Sequence, residues 1–79
     1  MIKDEYKLLK FGDTYITLTA REIEVLNLMA AGKTNPEIGK DLIISSHTAK
    51  AHVGHILHKM CAKDRVNAVA KAIRNGIID

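Results

Sequence analysis

All four histidines of this chain, His47, His52, His55 and His58, fall between Ser45 and Lys63. Imidazoles this dense can hold a metal, relay a proton or meet an anion. His52, His55 and His58 stand three residues apart, whereas metal-binding pairs on one helix face usually stand four apart. No acidic or cysteine cluster joins them, since Cys61 is the one cysteine. We expect no metal and no cofactor. Cys61 as a redox switch is weaker than Cys61 as a small residue at a helix end. Arg21 and Glu22 could serve catalysis, yet capping and a helix-stabilising ion pair account for them. Nothing in the chain pairs a nucleophile with a base and an orienting group, so no enzyme is expected.

Anion binding fits better. The same stretch carries Lys50, Lys59 and Lys63 and no acid, in a chain of formal charge +3 and pI about 9.2. One sign of charge along one segment suits a polyanionic partner. A solvated helix face would look the same, so charge alone does not decide.

Size and composition narrow the classes further. Seventy-nine residues make one domain with a thin core and little room for a deep cleft. Apolar residues make up 47% and aromatic residues 4%, with no Trp, so aliphatic side chains and helices must do the packing. A lone cysteine permits no internal disulfide and fits a reducing compartment. No apolar run approaches the ~20 residues of a membrane span. Lys3, Asp4, Glu5 and Lys7 interrupt any signal-peptide pattern. A cytoplasmic protein is expected.

The elements that would position these residues are marked by caps and turns. Residues 1–17 form a lead-in, where Lys7–Phe11 and Thr14–Leu18 flank Gly12-Asp13 as in a short β-hairpin. Thr19-Ala20-Arg21-Glu22 is a capping box, with Leu18 and Ile23 at the staple positions. Ile23, Leu26, Met29 and Ala30 then give an apolar face, and Gly32 closes the helix. Thr34-Asn35-Pro36-Glu37 is a second box, opening a short helix to about Leu42 with Ile38 and Leu42 inward. Gly39 costs about 1 kcal/mol inside that helix, which makes sense if another helix crosses closely there. Ile43-Ile44 turns, and Ser45 caps a third helix running to about Met60. Its core positions are Ala49, Val53, Ile56, Leu57 and Met60. Asp64 caps a fourth helix with a stripe of Val66, Val69, Ala70 and Ile73, ended by Gly76.

Two short capped helices joined by a tight turn, the second one basic, read as a helix-turn-helix. At about 100° per residue, the face of the third helix opposite its core holds His47, Ala51, His55 and His58. Gly54, Thr48 and Lys50 flank it. Ala51 and Gly54 are small enough to let a helix sit deep in a groove about 12 Å wide. Lys50 and His47 can donate to guanine or phosphate. Ser46 and Thr48 lie in the first turn, whose free amides attract phosphate.

Residues 18–78 resemble the C-terminal DNA-binding domain of the LuxR/FixJ/NarL family of bacterial transcription regulators. The resemblance rests on Leu18-Thr19-Ala20-Arg21-Glu22, Gly32-Lys33-Thr34-Asn35-Pro36-Glu37-Ile38, Ile44-Ser45 and Thr48-Ala49-Lys50. It continues through His52-Val53, Ile56-Leu57-His58-Lys59-Met60, Lys63-Asp64-Arg65 and Ala68-Val69. It implies that the third helix reads DNA and that the fourth contributes to dimerisation. It also implies base-facing positions for Lys50 and Ala51, and phosphate-side roles for Thr48, His52 and Lys59. Three residues depart from the family pattern: Ala49 where Val is common, Gly54 where a Lys or polar residue is common, and Cys61 where Gly is usual. The hairpin is not part of that pattern.

The expectation is therefore an all-α, compact four-helix helix-turn-helix domain over 18–79, preceded by the lead-in and its hairpin. The expected DNA-binding residues are Ser46, His47, Thr48, Lys50, Ala51, His52, Gly54, His55 and Lys59. The expected dimerisation residues are Val66, Ala68, Val69, Ala72 and Ile73, because Ala68, Ala72 and Ile77 leave small apolar surface beside the core stripe. The partners expected are double-stranded DNA, a second copy of the chain on DNA, and RNA polymerase, with no membrane. The alternatives are a sigma-factor-like promoter-recognition domain, against which the fourth helix argues, and a protein-interaction domain using that helix.

Overall fold

Gly12 adopts a φ of +64°, which lets the chain reverse after Phe11 and run back on itself. The result, in a computed structural model that describes residues 6–79, is an antiparallel hairpin of β1 (Tyr6–Phe11) and β2 (Thr14–Thr19). Met1–Glu5, the start of the lead-in, lie outside the described residues. Pairing runs from Tyr6 opposite Thr19 to Phe11 opposite Thr14. Side chains alternate between faces, so Leu9, Phe11 and Ile16 pack against the core with the fully buried Leu18, while Leu8 and Tyr15 face outward. The Gly12 amide donates to Asn75 Oδ1 at 3.1 Å, and the Lys71 ammonium lies 6.0 Å from the Phe11 ring centre. These contacts dock the hairpin onto the last helix.

Four helices follow: α1 (Ala20–Ala30), α2 (Asn35–Leu42), α3 (Ser46–Lys59) and α4 (Arg65–Arg74). Both capping boxes form. The Thr19 hydroxyl accepts from the Glu22 amide at 3.0 Å, and the Thr19 amide donates to Glu22 Oε1 at 2.9 Å. Thr34 and Glu37 repeat the exchange at 3.3 and 2.8 Å. Such a cap stabilises a helix by about 1 kcal/mol. Ser45 Oγ accepts from the Thr48 amide and Asp64 Oδ1 from the Asn67 amide, starting α3 and α4.

The core gathers Leu18, Val25, Leu26, Ile38, Ala49, Ile56 and Met60, all fully buried. Burying each larger aliphatic side chain contributes about 1.5–3 kcal/mol. Two expectations need correction. Gly39 is buried, but what crosses it is the backbone after α2. A Cβ there would lie 2.7 Å from the Ile44 carbonyl oxygen. In α4 the stripe is turned. Ala68 and Ala72 are fully buried, whereas Val66 is 76% and Ile73 is 50% exposed. Ala68 and Ala72 therefore cannot offer a dimer surface. Their short side chains let α4 lie close against α1 and α3, which sends the larger residues outward.

Candidate nucleic-acid interface

Three residues, Ile43, Ile44 and Ser45, join α2 to α3. The turn is held by the Ile44 amide donating to the Gly39 carbonyl at 2.9 Å and the Ile43 amide to that of Lys40 at 3.4 Å. Ile43 accepts a φ of +59° to make these bonds, although its side chain is exposed. The turn thereby fixes the angle between the two helices. Ile38 on α2 and Ala49, Val53 and Ile56 on α3 are buried where they pack.

With that side of α3 committed to the core, its opposite side is set by the helical period. Ser46, His47, Thr48, Lys50, Ala51, Gly54, His55 and His58 are all exposed, and His52 is half-buried at the margin. Nothing lies within 4 Å of where a Gly54 Cβ would stand. The amides of Ser46 and His47 have no intrahelical acceptor, as in any first turn. The Ser45 hydroxyl donates to Thr48 Oγ1 at 2.9 Å, fixing the Thr48 side chain. Between Ser45 and Lys63 the sequence carries no acid. It is a convex, cationic and small-featured ridge, suited to a groove and not to enclosing a small molecule.

Lys59 stands apart from the other residues expected to meet DNA. Its Nζ sits 2.7 Å from Glu22 Oε1, tying the end of α3 to the first turn of α1. Glu22 is only 6% exposed. Burial pushes its carboxyl up, but the Lys59 ammonium and the Thr19 cap together outweigh this and hold it below the usual 4.5. Arg21 pairs with Glu24, at 3.6 Å. The structural partner of Lys59 had no local signal, because 37 residues separate the two. Arg65 is a second such tether. Its guanidinium donates to the Lys33 carbonyl at 2.9 Å and to Asn35 Oδ1, fastening α4 to the loop after α1 and to the first residue of α2.

Other features lie away from the ridge. A cleft of about 600 Å³ is lined by Met29, Gly32, Lys33, Pro36, Arg65 and Val66, on the side of α4. Cys61 is exposed at a φ of +51°. Among the described residues no three His, Cys, Asp or Glu side chains gather as ligands, and no helix is long and apolar enough to cross a membrane.

Fold and surface together define a helix-turn-helix module. Comparison with known proteins assigns it more narrowly. Residues 16–72 match the family described as "Bacterial regulatory proteins, luxR family". The chain is 46% identical over 63 residues to the transcriptional regulatory protein LiaR of Bacillus subtilis, covering 80% of this chain and 30% of that protein. It is 45% identical over 71 residues to the transcriptional regulatory protein DegU of Brevibacillus brevis, covering 90% and 30% respectively. It is 37% identical over 78 residues to the response regulator protein VraR of Staphylococcus aureus, covering 99% and 37%. The chain belongs to the luxR family of bacterial regulatory proteins, which act in transcription by binding DNA and are not enzymes. It spans about a third of the length of these curated relatives.

Proposed function

We propose that this chain binds double-stranded DNA sequence-specifically by laying α3 in the major groove, and that it regulates transcription as a homodimer. Residues 18–79 are the DNA-binding unit and 1–17 its lead-in. The module serves as the output domain of a response regulator, in line with relatives such as VraR, or as a small regulator standing alone. Its compartment is the bacterial cytoplasm, and RNA polymerase is its second protein partner.

The observation that carries this reading is the outer side of α3. Lys50 and Ala51 project from the middle of an acid-free ridge, held by a buried opposite face. Ser46, His47, Thr48, Gly54 and His55 complete the contact surface, with His52 and Lys59 at its phosphate-side margin. A site selected from a random duplex library provides the test. Lys50→Ala should weaken binding to that site by about 1–3 kcal/mol while circular dichroism stays unchanged. Full specific affinity in Lys50→Ala would remove α3 from the groove. Binding that does not weaken with rising salt would favour a protein-interaction module instead.

A further inference from the structure

We propose that DNA binding by α3 takes up protons, with His47, His55 and His58 becoming imidazolium ions against phosphate oxygens. The proposal rests on the DNA-binding reading above and adds a regulation to the same surface. All three imidazoles are exposed, and all sit on one side of α3. With a rise of about 1.5 Å per residue, His47 and His58 lie roughly 16 Å apart along the axis. Such a row follows the helix for most of its length, where it can meet more than one phosphate.

What faces these histidines favours the change. Elements packed against α3 are α2, α1, α4 and β2. Their carboxylates are engaged elsewhere. Glu22 holds Lys59, Glu24 holds Arg21, and Asp41 lies 3.5 Å from Lys33. Glu37 and Asp64 cap α2 and α4. The remaining charges on those elements and on the loop before α4 are the cations Lys40, Lys63, Arg65, Lys71 and Arg74, with Tyr15 on β2. Among the described residues no ion pair includes a histidine. Among the described residues, the elements packed against α3 thus supply no anion to hold an imidazolium, and the DNA backbone supplies a row of them.

Linkage then sets the sign. A group that gains affinity for a proton on binding makes binding tighter as pH falls. An imidazole whose pKa rises by about one unit from the ordinary ~6.5 strengthens binding about fourfold between pH 7.5 and 6.0. Each one so engaged also acts as a partial extra cation and steepens the salt dependence.

The experiment measures affinity of the chain for a fluorescein-labelled 24-base-pair duplex of random sequence at pH 6.0, 6.8 and 7.6, each across a salt series. The expected result is tightening of at least fourfold towards pH 6.0, with a steeper salt slope. The variant carrying His47→Gln, His55→Gln and His58→Gln should keep salt-dependent binding at pH 7.6, weaker than that of the parent, and lose most of the pH response. Salt-dependent binding that is flat with pH overturns the proposal and leaves the DNA-binding reading standing. So does a full pH response in the triple variant. No salt-dependent binding at any pH overturns the DNA-binding reading as well.

Discussion

Glu22 serves two elements with one carboxylate oxygen: Oε1 accepts from the Thr19 amide at 2.9 Å and from Lys59 Nζ at 2.7 Å. The first bond was legible, because Thr19 and Glu22 stand at capping-box spacing. The second was not, since nothing local marks Lys59 as the partner of a residue 37 positions away. Only the packing of α1 on α3 brings them together. The carboxyl is held below 4.5 in the fold, so its contribution to stability is present above the unfolded value. That contribution is lost as pH falls through the lowered one. Glu22→Gln leaves a buried site without its anion and Lys59 without its partner. We expect it to cost about 1–3 kcal/mol at pH 7. The gap between parent and variant should close as pH drops from about 4.5 towards 3. Glu37, also held low by the Thr34 amide foremost, is common to both chains and cancels from the difference. Urea midpoints at pH 7, 4.5 and 3 measure the gap, and one that stays constant down to pH 3 would show the Lys59–Glu22 pair adds nothing.

All four helices end in the same hydrogen-bond pattern. The amide two residues beyond the last turn reaches back to a carbonyl five residues earlier, as Lys33 does to Leu28, Ile44 to Gly39, Ala62 to Leu57 and Ile77 to Ala72. Each needs one left-handed residue. Gly32 and Gly76 fill it at two ends, and these ends could be read from the glycine. Ile43 and Cys61 fill it at the others, where side chains of that kind sit at a cost of roughly 1–2 kcal/mol. Those ends were placed instead by the caps that follow them, Ser45 and Asp64. The usual family Gly at position 61 is explained by this backbone, which keeps its left-handed form with cysteine in place. Helix periodicity placed the outer side of α3 correctly, since its buried residues Ala49, Val53 and Ile56 are the apolar ones. It failed on α4, where two apolar stripes at the same period compete and the smaller one, Ala68 and Ala72, packs inward. Gly39 shows how tightly one element constrains the next. Ala is the better helix former by about 1 kcal/mol, yet its Cβ would meet the Ile44 carbonyl at 2.7 Å. That atom belongs to the backbone turn and cannot swing aside. Gly39→Ala should therefore destabilise the domain by about 1–3 kcal/mol. The melting temperature should fall by roughly 4–8 °C per kcal/mol in a domain this small. DNA affinity should also fall at temperatures where the variant is still folded, because α3 enters at a changed angle. A higher melting temperature with unchanged affinity would mean the turn yields freely.

At the scale of the whole molecule the exposed side of α4 bears on how two copies would share DNA. Val66 and Ile73 are seven residues apart, two helical turns, with Val66 largely clear of the domain that carries them and Ile73 half exposed. Val69, between them, is half-buried. This apolar strip is too narrow for a stable interface by itself, since specific interfaces bury about 800 Å² per partner. On DNA the requirement is lower, because two chains bound side by side hold each other at high effective concentration. The molecule measures 34 × 34 × 20 Å, and half-sites one helical turn apart are separated by roughly 34–36 Å. Neighbours on such a site would come within contact range, so a small apolar strip can act there while failing in free solution. Sedimentation should find the isolated chain mainly monomeric at micromolar concentration and two chains on a duplex with two such half-sites. The second chain should bind more tightly than the first. Val66→Asp places a charge on the strip without disturbing the core, because Val66 is 76% exposed. It should leave binding to a single half-site unchanged and abolish the preference of the second chain. Cooperative binding that survives Val66→Asp would locate the contact elsewhere on the surface, and one chain per duplex would remove the dimer altogether.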